Sequence, residues 1–255
     1  MKRLGLAGFG FIGRFLYDRL ADSEDIKVAA VWNRNPAKLS GLEPDIICPR
    51  LEELGARELD LVVEAAHPEV VRALWPHLTS GADLMIASMT GLADRDFRRR
   101  MQVEAQERKI KVFLPHGAVL GLDGLRDGRD LLESVSITTT KHPRNLGLPQ
   151  DTGTEPRILF DGPTREACLR FPRNVNVHAA IALAGMGFEA TRSKIVADPS
   201  IDKMRHRIEV RGRGLSWNLE IESFSAGQVT GSYTPESLYQ SIRGVLLETY
   251  DYRIV

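Results

Sequence analysis

Short apolar runs alternate with helically spaced apolar positions through the first 117 residues of the chain. Strand-like runs fall at 4–7, 27–32, 45–48, 59–63, 84–87 and 111–114. Between them, Phe11, Ile12, Phe15, Leu16 and Leu20 recur at helical spacing, as do Val70, Val71, Leu74 and Leu78. A highly charged stretch over 94–109 predicts a helix with an exposed outer face. Short strands separated by helices predict βαβ units and a parallel, doubly wound sheet.

After Gly117 the pattern changes. Residues 135–140 and 157–160 read as strands, and 163–170 and 175–184 as helices. Three further strands, at 193–197, 206–211 and 217–222, are expected to run antiparallel. Strands clustered after helices predict an α+β unit. The last helix, 235–250, has Thr234 placed as its N-cap and Pro235 at its first position. Its apolar stripe of Leu238, Ile242, Val245 and Leu246 suits packing back on the first unit. The expected fold class is therefore α/β: an N-terminal doubly wound parallel sheet plus a smaller α+β domain for substrate and dimerisation. The expected boundaries are 1–117 and 118–232, with 233–255 returning to the first domain.

Composition narrows the function classes. Lys+Arg and Asp+Glu number 34 each over 255 residues, so no global field points to nucleic acid or to an anionic membrane. Cys48 and Cys168 lie far apart without CxxC spacing and read as buried thiols of a reducing compartment. The apolar N-terminal stretch is short, broken by glycines and followed by Arg14, which is not the pattern of a signal peptide or a membrane span. The expectation is a cytoplasmic protein with no nucleic-acid or membrane partner. The six histidines show no ligand spacing on one element, so no metal site is expected.

Gly8-Phe9-Gly10-Phe11-Ile12-Gly13 follows the first strand and opens the first helix. In that context the first glycine allows the tight turn, the second admits a pyrophosphate, and the third lets helix and strand pack closely. The phosphates would then lie on the helix's first N–H groups. Dinucleotide binding by Gly8, Gly10, Phe11, Ile12 and Gly13 is the expectation. The end of the second strand, where an acidic residue would hold a ribose, reads Trp32-Asn33-Arg34-Asn35. Asn33 and Arg34 are placed on the cofactor, with Arg34 suited to a 2′-phosphate, so NAD or NADP stays open.

Several later segments share an order and spacing. They are Glu64-Ala65-Ala66-His67-Pro68, Pro115-His116-Gly117-Ala118, Phe171-Pro172-Arg173-Asn174-Val175-Asn176-Val177, Ala197-Asp198-Pro199 and His206. Together they resemble the L-aspartate dehydrogenase family over nearly the whole chain. The resemblance implies a homodimeric enzyme interconverting L-aspartate and iminosuccinate, hence oxaloacetate and ammonia, with NAD or NADP. Its imino acid product can feed NAD biosynthesis. It implies that His206 is catalytic and that Ala66, Ala118 and Asn176 contact the cofactor.

The residues admit those roles. A histidine exchanging a proton with the amine as hydride leaves Cα suits the chemistry, and Arg205 and Arg207 would favour its neutral form. Asn174 and Asn176 also stand where a helix cap is expected. A dicarboxylate needs cationic donors, for which Arg173, Arg205, Arg207 and Lys141 are candidates. The chain departs from the family pattern at His116, Ser88-Met89-Thr90-Gly91-Leu92, Met204 and 227–231. His116 brings a titratable group towards the substrate. These departures leave open a dehydrogenase of another amino, imino or keto acid, a reductase of the dihydrodipicolinate reductase or homoserine dehydrogenase sort, or a dinucleotide-sensing regulator without catalysis.

Overall fold

The computed structural model describes residues 1–79, 81–148, 154–224 and 231–247. The chain divides into two compact units, Met1–Pro115 with Pro235–Val255, and His116–Thr234.

The first unit begins with β1 (Lys2–Ala7), α1 (Phe11–Leu20), β2 (Ile26–Trp32), α2 (Leu51–Ala56) and β3 (Leu61–Glu64). It continues with α3 (Pro68–Leu74), β4 (Asp83–Ile86), α4 (Arg95–Arg108) and β5 (Val112–Phe113). The strands form a sheet of order β2-β1-β3-β4-β5 in which every pairing is parallel. The order reverses at β1, so the loops after β1 and β3 open a crevice at the carboxyl edge of the sheet, where such folds bind ligands.

The strand expected at 45–48 does not form. Pro44 starts a 3-10 turn over Pro44–Ile46, and one parallel bridge, Val31 to Ile47, is all that pairs. Pro44 and Pro49 frame the segment, and proline contributes no N–H to a ladder.

The core of this unit gathers Leu4, Leu6, Phe9, Leu16, Ile26, Val31, Leu61, Val63 and Met85. Leu238, Tyr239 and Ile242 from the last helix complete it.

The second unit holds α5 (Leu122–Asp127), β6 (Leu132–Lys141), β7 (Arg157–Pro163), α6 (Thr164–Arg170) and α7 (Asn176–Ala184). After these come α8 (Gly187–Ala190), β8 (Arg192–Ala197), β9 (Lys203–Gly212) and β10 (Leu215–Phe224); the last helix, α9 (Tyr233–Leu247), returns the chain to the first unit from Pro235 on. Because α9 starts at Tyr233, Thr234 and Pro235 lie inside its first turn instead of at cap and first position. Residues 248–250, the expected end of that helix, and most of 227–231 lie outside the described residues.

The second sheet has the order β10-β9-β6-β8-β7. The expectation of three consecutive antiparallel strands is corrected here. β9 and β10 form a hairpin through Arg213 and Gly214 (φ +82), but β6 separates β8 from β9. β8 runs parallel to β6, from Ser136↔Arg192 to Lys141↔Ala197. Three helices precede β8 after β7, so no tight turn ties it to its sequence neighbours, and its pairing is free to be parallel. The period-2 alternation puts Val135, Ile137, Thr139 and Lys141 of β6 on one buried face with Met204, His206, Ile208 and Val210 of β9. No helix among the described residues is long and apolar enough to cross a membrane.

Candidate functional site

The glycine turn of the first unit is shaped as dinucleotide binding requires. Gly8 has φ +116 and donates its N–H to the Trp32 carbonyl at 2.8 Å. A Cβ at Gly13 would stand 2.1 Å from the Gly8 carbonyl oxygen, so only glycine lets α1 approach β1 this closely. At Gly10, by contrast, a Cβ would meet nothing within 4 Å, which leaves open space beside the start of α1. Gly10 is the N-cap and offers no side-chain bond, so the N–H groups of Phe11, Ile12 and Gly13 and the positive end of the helix face a ligand without competition from a cap. These features fit a pyrophosphate.

Two side chains fix the surrounding loops. Asn33 Oδ1 accepts the Phe9 N–H at 2.9 Å and its Nδ2 donates to the Asn35 carbonyl at 2.8 Å, so this side chain holds the glycine turn against the end of β2. Arg34 is exposed and pairs with Glu69 at 3.6 Å. Glu64, at the end of β3, is fully buried. Its Oε1 accepts from the Ala66 N–H at 2.8 Å, the His67 N–H at 2.9 Å and the Ser88 hydroxyl at 2.9 Å. Its Oε2 takes the Ser88 N–H at 3.0 Å. One carboxyl group therefore ties the loop carrying Ala66 to the loop after β4. Burial pushes Glu64 up to about 7 against those four donors. Sequence reasoning assigned Glu64 no role, although an acid ending an apolar strand was a readable signal.

The second unit contains a buried polar cluster on the inner face of β6 and β9. His206 is 2% exposed and its Nδ1 lies 2.8 Å from Thr139 Oγ1, its cross-strand neighbour. Thr139 Oγ1 also lies 2.7 Å from Nε2 of His178, on α7. His178 Nδ1 reaches Ser193 Oγ of β8 at 2.9 Å, and Ser193 Oγ reaches Thr164 Oγ1 at 2.8 Å. Lys141, 3% exposed, donates from Nζ to the Asn174 carbonyl at 3.3 Å. Burial pulls the Lys141 ammonium down to about 8. Burial first, and the Lys141 charge second, pull His206 down to about 3. Burial also holds His178 well below the ordinary imidazole range. Asn174 Oδ1 is buried with no donor among the described residues.

The expected residues are thus distributed unevenly. His206 lies inside β9, three residues after its start, and is buried. Its charged neighbour is Lys141, whereas Arg205 and Arg207 project from the opposite, exposed face of the strand. Arg205 is engaged there by Glu222 at 2.9 Å and Glu220 at 3.5 Å. Arg207 pairs with Glu209 at 3.2 Å. Alternation along a strand carries this information, since residues adjacent in sequence face opposite ways.

Asn176 is half-buried at the first position of α7, and Val175 occupies the cap without a side-chain bond, so neither Asn174 nor Asn176 caps the helix. Arg173 and His116 are exposed, and Ala118 is half-buried in the loop after His116. Cys48 and Cys168 are both buried free thiols, with Cys168 raised to about 12 by burial.

Residues 8–115 match the family described as homoserine dehydrogenase, NAD binding domain, and residues 123–245 the family described as aspartate dehydrogenase, C-terminal. The chain is 35% identical to an L-aspartate dehydrogenase of Methanosarcina acetivorans over 88% of each chain. It is 40% identical to an L-aspartate dehydrogenase of Methanothermobacter thermautotrophicus over 83% of this chain and 82% of the other. The crystal structure of aspartate dehydrogenase from Thermotoga maritima superposes with a TM-score of 0.78 at 27% identity, covering 100% of this chain and 99% of that one. An NAD-binding turn in one unit, a buried histidine and lysine in the other, and relatives matched along nearly the full length place this chain in the aspartate dehydrogenase family.

Proposed function

We propose that this chain is an NAD(P)-dependent L-aspartate dehydrogenase in which His206 exchanges the proton and Lys141 meets a substrate carboxylate. The observation that carries the assignment is a buried lysine whose charge reaches a buried histidine, in a chain of this family. Structural stability alone gives no reason to bury an ammonium group that has no carboxylate beside it among the described residues.

A bound nicotinamide would supply the acceptor for the hydride of the substrate Cα. Gly8, Gly10, Phe11, Ile12 and Gly13 would hold the pyrophosphate, and the family likeness supports Ala66, Ala118 and Asn176 as further cofactor contacts. Asn33 shapes the turn. Arg34 takes a 2′-phosphate readily, because an exposed pair such as Arg34–Glu69 contributes little and yields to a better anion. NADP is accordingly accepted beside NAD. Aspartate enters as its free amine. As the Cα–H bond breaks, the nitrogen lone pair forms the C=N bond and one N–H proton passes to His206 Nε2. Water then converts the imine to oxaloacetate and ammonia. Burial is the larger cause of the depressed His206 basicity and the Lys141 charge the smaller; a carboxylate beside Lys141 would offset the second and return part of the basicity as substrate binds. Asn174 Oδ1 accepts from a ligand N–H. Arg173 and His116 stay as exposed groups at the substrate side. The family likeness supports a homodimer working in the cytoplasm.

The test is reduction of NAD and NADP by the purified protein with L-aspartate against a panel of other amino acids, repeated with His206→Ala. Loss of general acid–base help predicts a fall in kcat of about 10²–10⁴-fold with NADH affinity retained. Cofactor binding with no turnover of aspartate would sink the substrate assignment.

A further inference from the structure

The proposed mechanism uses one ring nitrogen of His206 and leaves a second buried histidine, His178, without work. The hydrogen bonds around it have a direction. Thr164 Oγ1 donates to the Thr191 carbonyl at 3.0 Å, and a carbonyl can only accept. The single Thr164 hydroxyl hydrogen is thereby used, so Ser193 Oγ must donate to Thr164 Oγ1. Ser193 then accepts from His178 Nδ1–H. A neutral His178 protonated at Nδ1 has a bare Nε2, which accepts the Thr139 hydroxyl hydrogen. Thr139 Oγ1, its hydrogen spent, accepts from His206 Nδ1–H.

We propose that this buried chain, from the Thr191 carbonyl through Thr164, Ser193, His178 and Thr139, is a tautomer lock that holds His206 as its Nδ1–H form and keeps the Nε2 lone pair for the substrate proton. Running the chain backwards would give up the terminal bond to Thr191 and put the hydrogen of His206 on the nitrogen that must accept. Among the described residues the hydrogen bond of the His206 ring is made by Nδ1, which leaves Nε2 for the substrate. His178 serves because it is kept neutral by its burial and by the neighbouring His206 and Lys141; a protonated ring would donate from both nitrogens and break the sequence. Thr139, His178 and Ser193 are positioning residues. The lock rests on the assignment of His206 as the proton acceptor, but the tautomer itself is measurable without turnover.

Long-range ¹H–¹⁵N spectra of histidine-labelled protein with NAD bound report the tautomer of each ring, with the signals assigned by their loss in His206→Ala and His178→Gln. The wild type should show both His206 and His178 as neutral Nδ1–H rings. Thr139→Val should abolish the fixed His206 tautomer and lower kcat for L-aspartate about 10–100-fold, the usual scale for losing a group that orients a reactive imidazole. KM and NADH affinity should change less than about threefold, since neither ligand touches Thr139 in this scheme. Thr139→Ser, which keeps the hydroxyl, should restore both tautomer and kcat. Should Thr139→Val fold poorly, Ser193→Ala acts one link deeper and should release the same tautomer. A wild-type His206 carrying its hydrogen on Nε2 overturns the lock. So does a Thr139→Val enzyme that keeps both the Nδ1–H signal and its kcat. If the wild type shows the Nδ1–H ring yet does not oxidise aspartate, the lock stands and the substrate assignment fails.

Discussion

Lys141 is the residue at which function and stability oppose each other most plainly. Its ammonium sits in the core of the second unit with a backbone carbonyl as its hydrogen-bond partner, and burial has pulled it down from 10.5 to about 8. Below about pH 8 the group is charged in both folded and unfolded chains, and the folded chain bears the desolvation cost. Between about 8 and 10.5 the folded chain sheds its proton first, so the cost fades as pH rises through that window. Lys141→Met should therefore stabilise the protein at pH 7, by up to about 3 kcal/mol, and the gain should shrink towards pH 10 in urea titrations. The same change should raise KM for aspartate about 10–100-fold, as expected for losing a charge-assisted bond to a carboxylate. In the wild type kcat/KM should fall as pH rises through about 8, and Lys141→Arg, which keeps its charge, should move that limb upward. A Met variant that is less stable and binds aspartate normally would mean that Lys141 is only a packing residue.

Among the elements, the turn from β1 into α1 separates two kinds of glycine requirement. Gly13→Ala would force a Cβ to 2.1 Å from a backbone oxygen, so α1 must shift off β1; overpacking of this kind costs about 1–3 kcal/mol or more. Gly10→Ala has room within the protein and should leave the melting temperature unchanged. Its new methyl instead fills the space beside the helix start, and NADH affinity should fall about tenfold or more in a fluorescence titration. Equal losses of stability in the two variants would contradict this division.

The motif was legible in sequence because its spacing encodes a local turn. The segment at 45–48 misled because its apolar residues mimic a strand while the flanking prolines limit pairing to one bridge. Thr139 carries no sequence signal tying it to His206, and Lys141 is one of four cationic candidates that the sequence does not tell apart. Their shared face depends on the antiparallel register of β6 with β9, which brings together positions 67 residues apart. Arg205 is adjacent to His206 in sequence, yet strand alternation puts the two on opposite faces of β9.

Across the whole molecule, the chain leaves its first unit after Pro115 and returns to it at Pro235. The stripe of Leu238, Ile242, Val245 and Leu246 was readable as an apolar helix face, while the surface it covers depends on the tertiary fold. Leu238, Tyr239 and Ile242 are buried against the core built around β1 and α1. Burial of Leu238 and Ile242 alone is worth about 3–6 kcal/mol at about 1.5–3 kcal/mol per side chain, a large share of the roughly 5–15 kcal/mol that stabilises a whole domain. A fragment of residues 1–115 should accordingly retain helical signal but lose cooperative urea unfolding and NADH binding. Joining 1–115 through a short flexible linker to 235–255 should restore both, because the missing core face is returned on the same chain. NADH at about 100 times its dissociation constant should then stabilise the joined fragment by about 2.7 kcal/mol. Cooperative unfolding of 1–115 alone, with NADH affinity equal to that of the joined fragment, would show that the last helix only covers this unit and does not complete it.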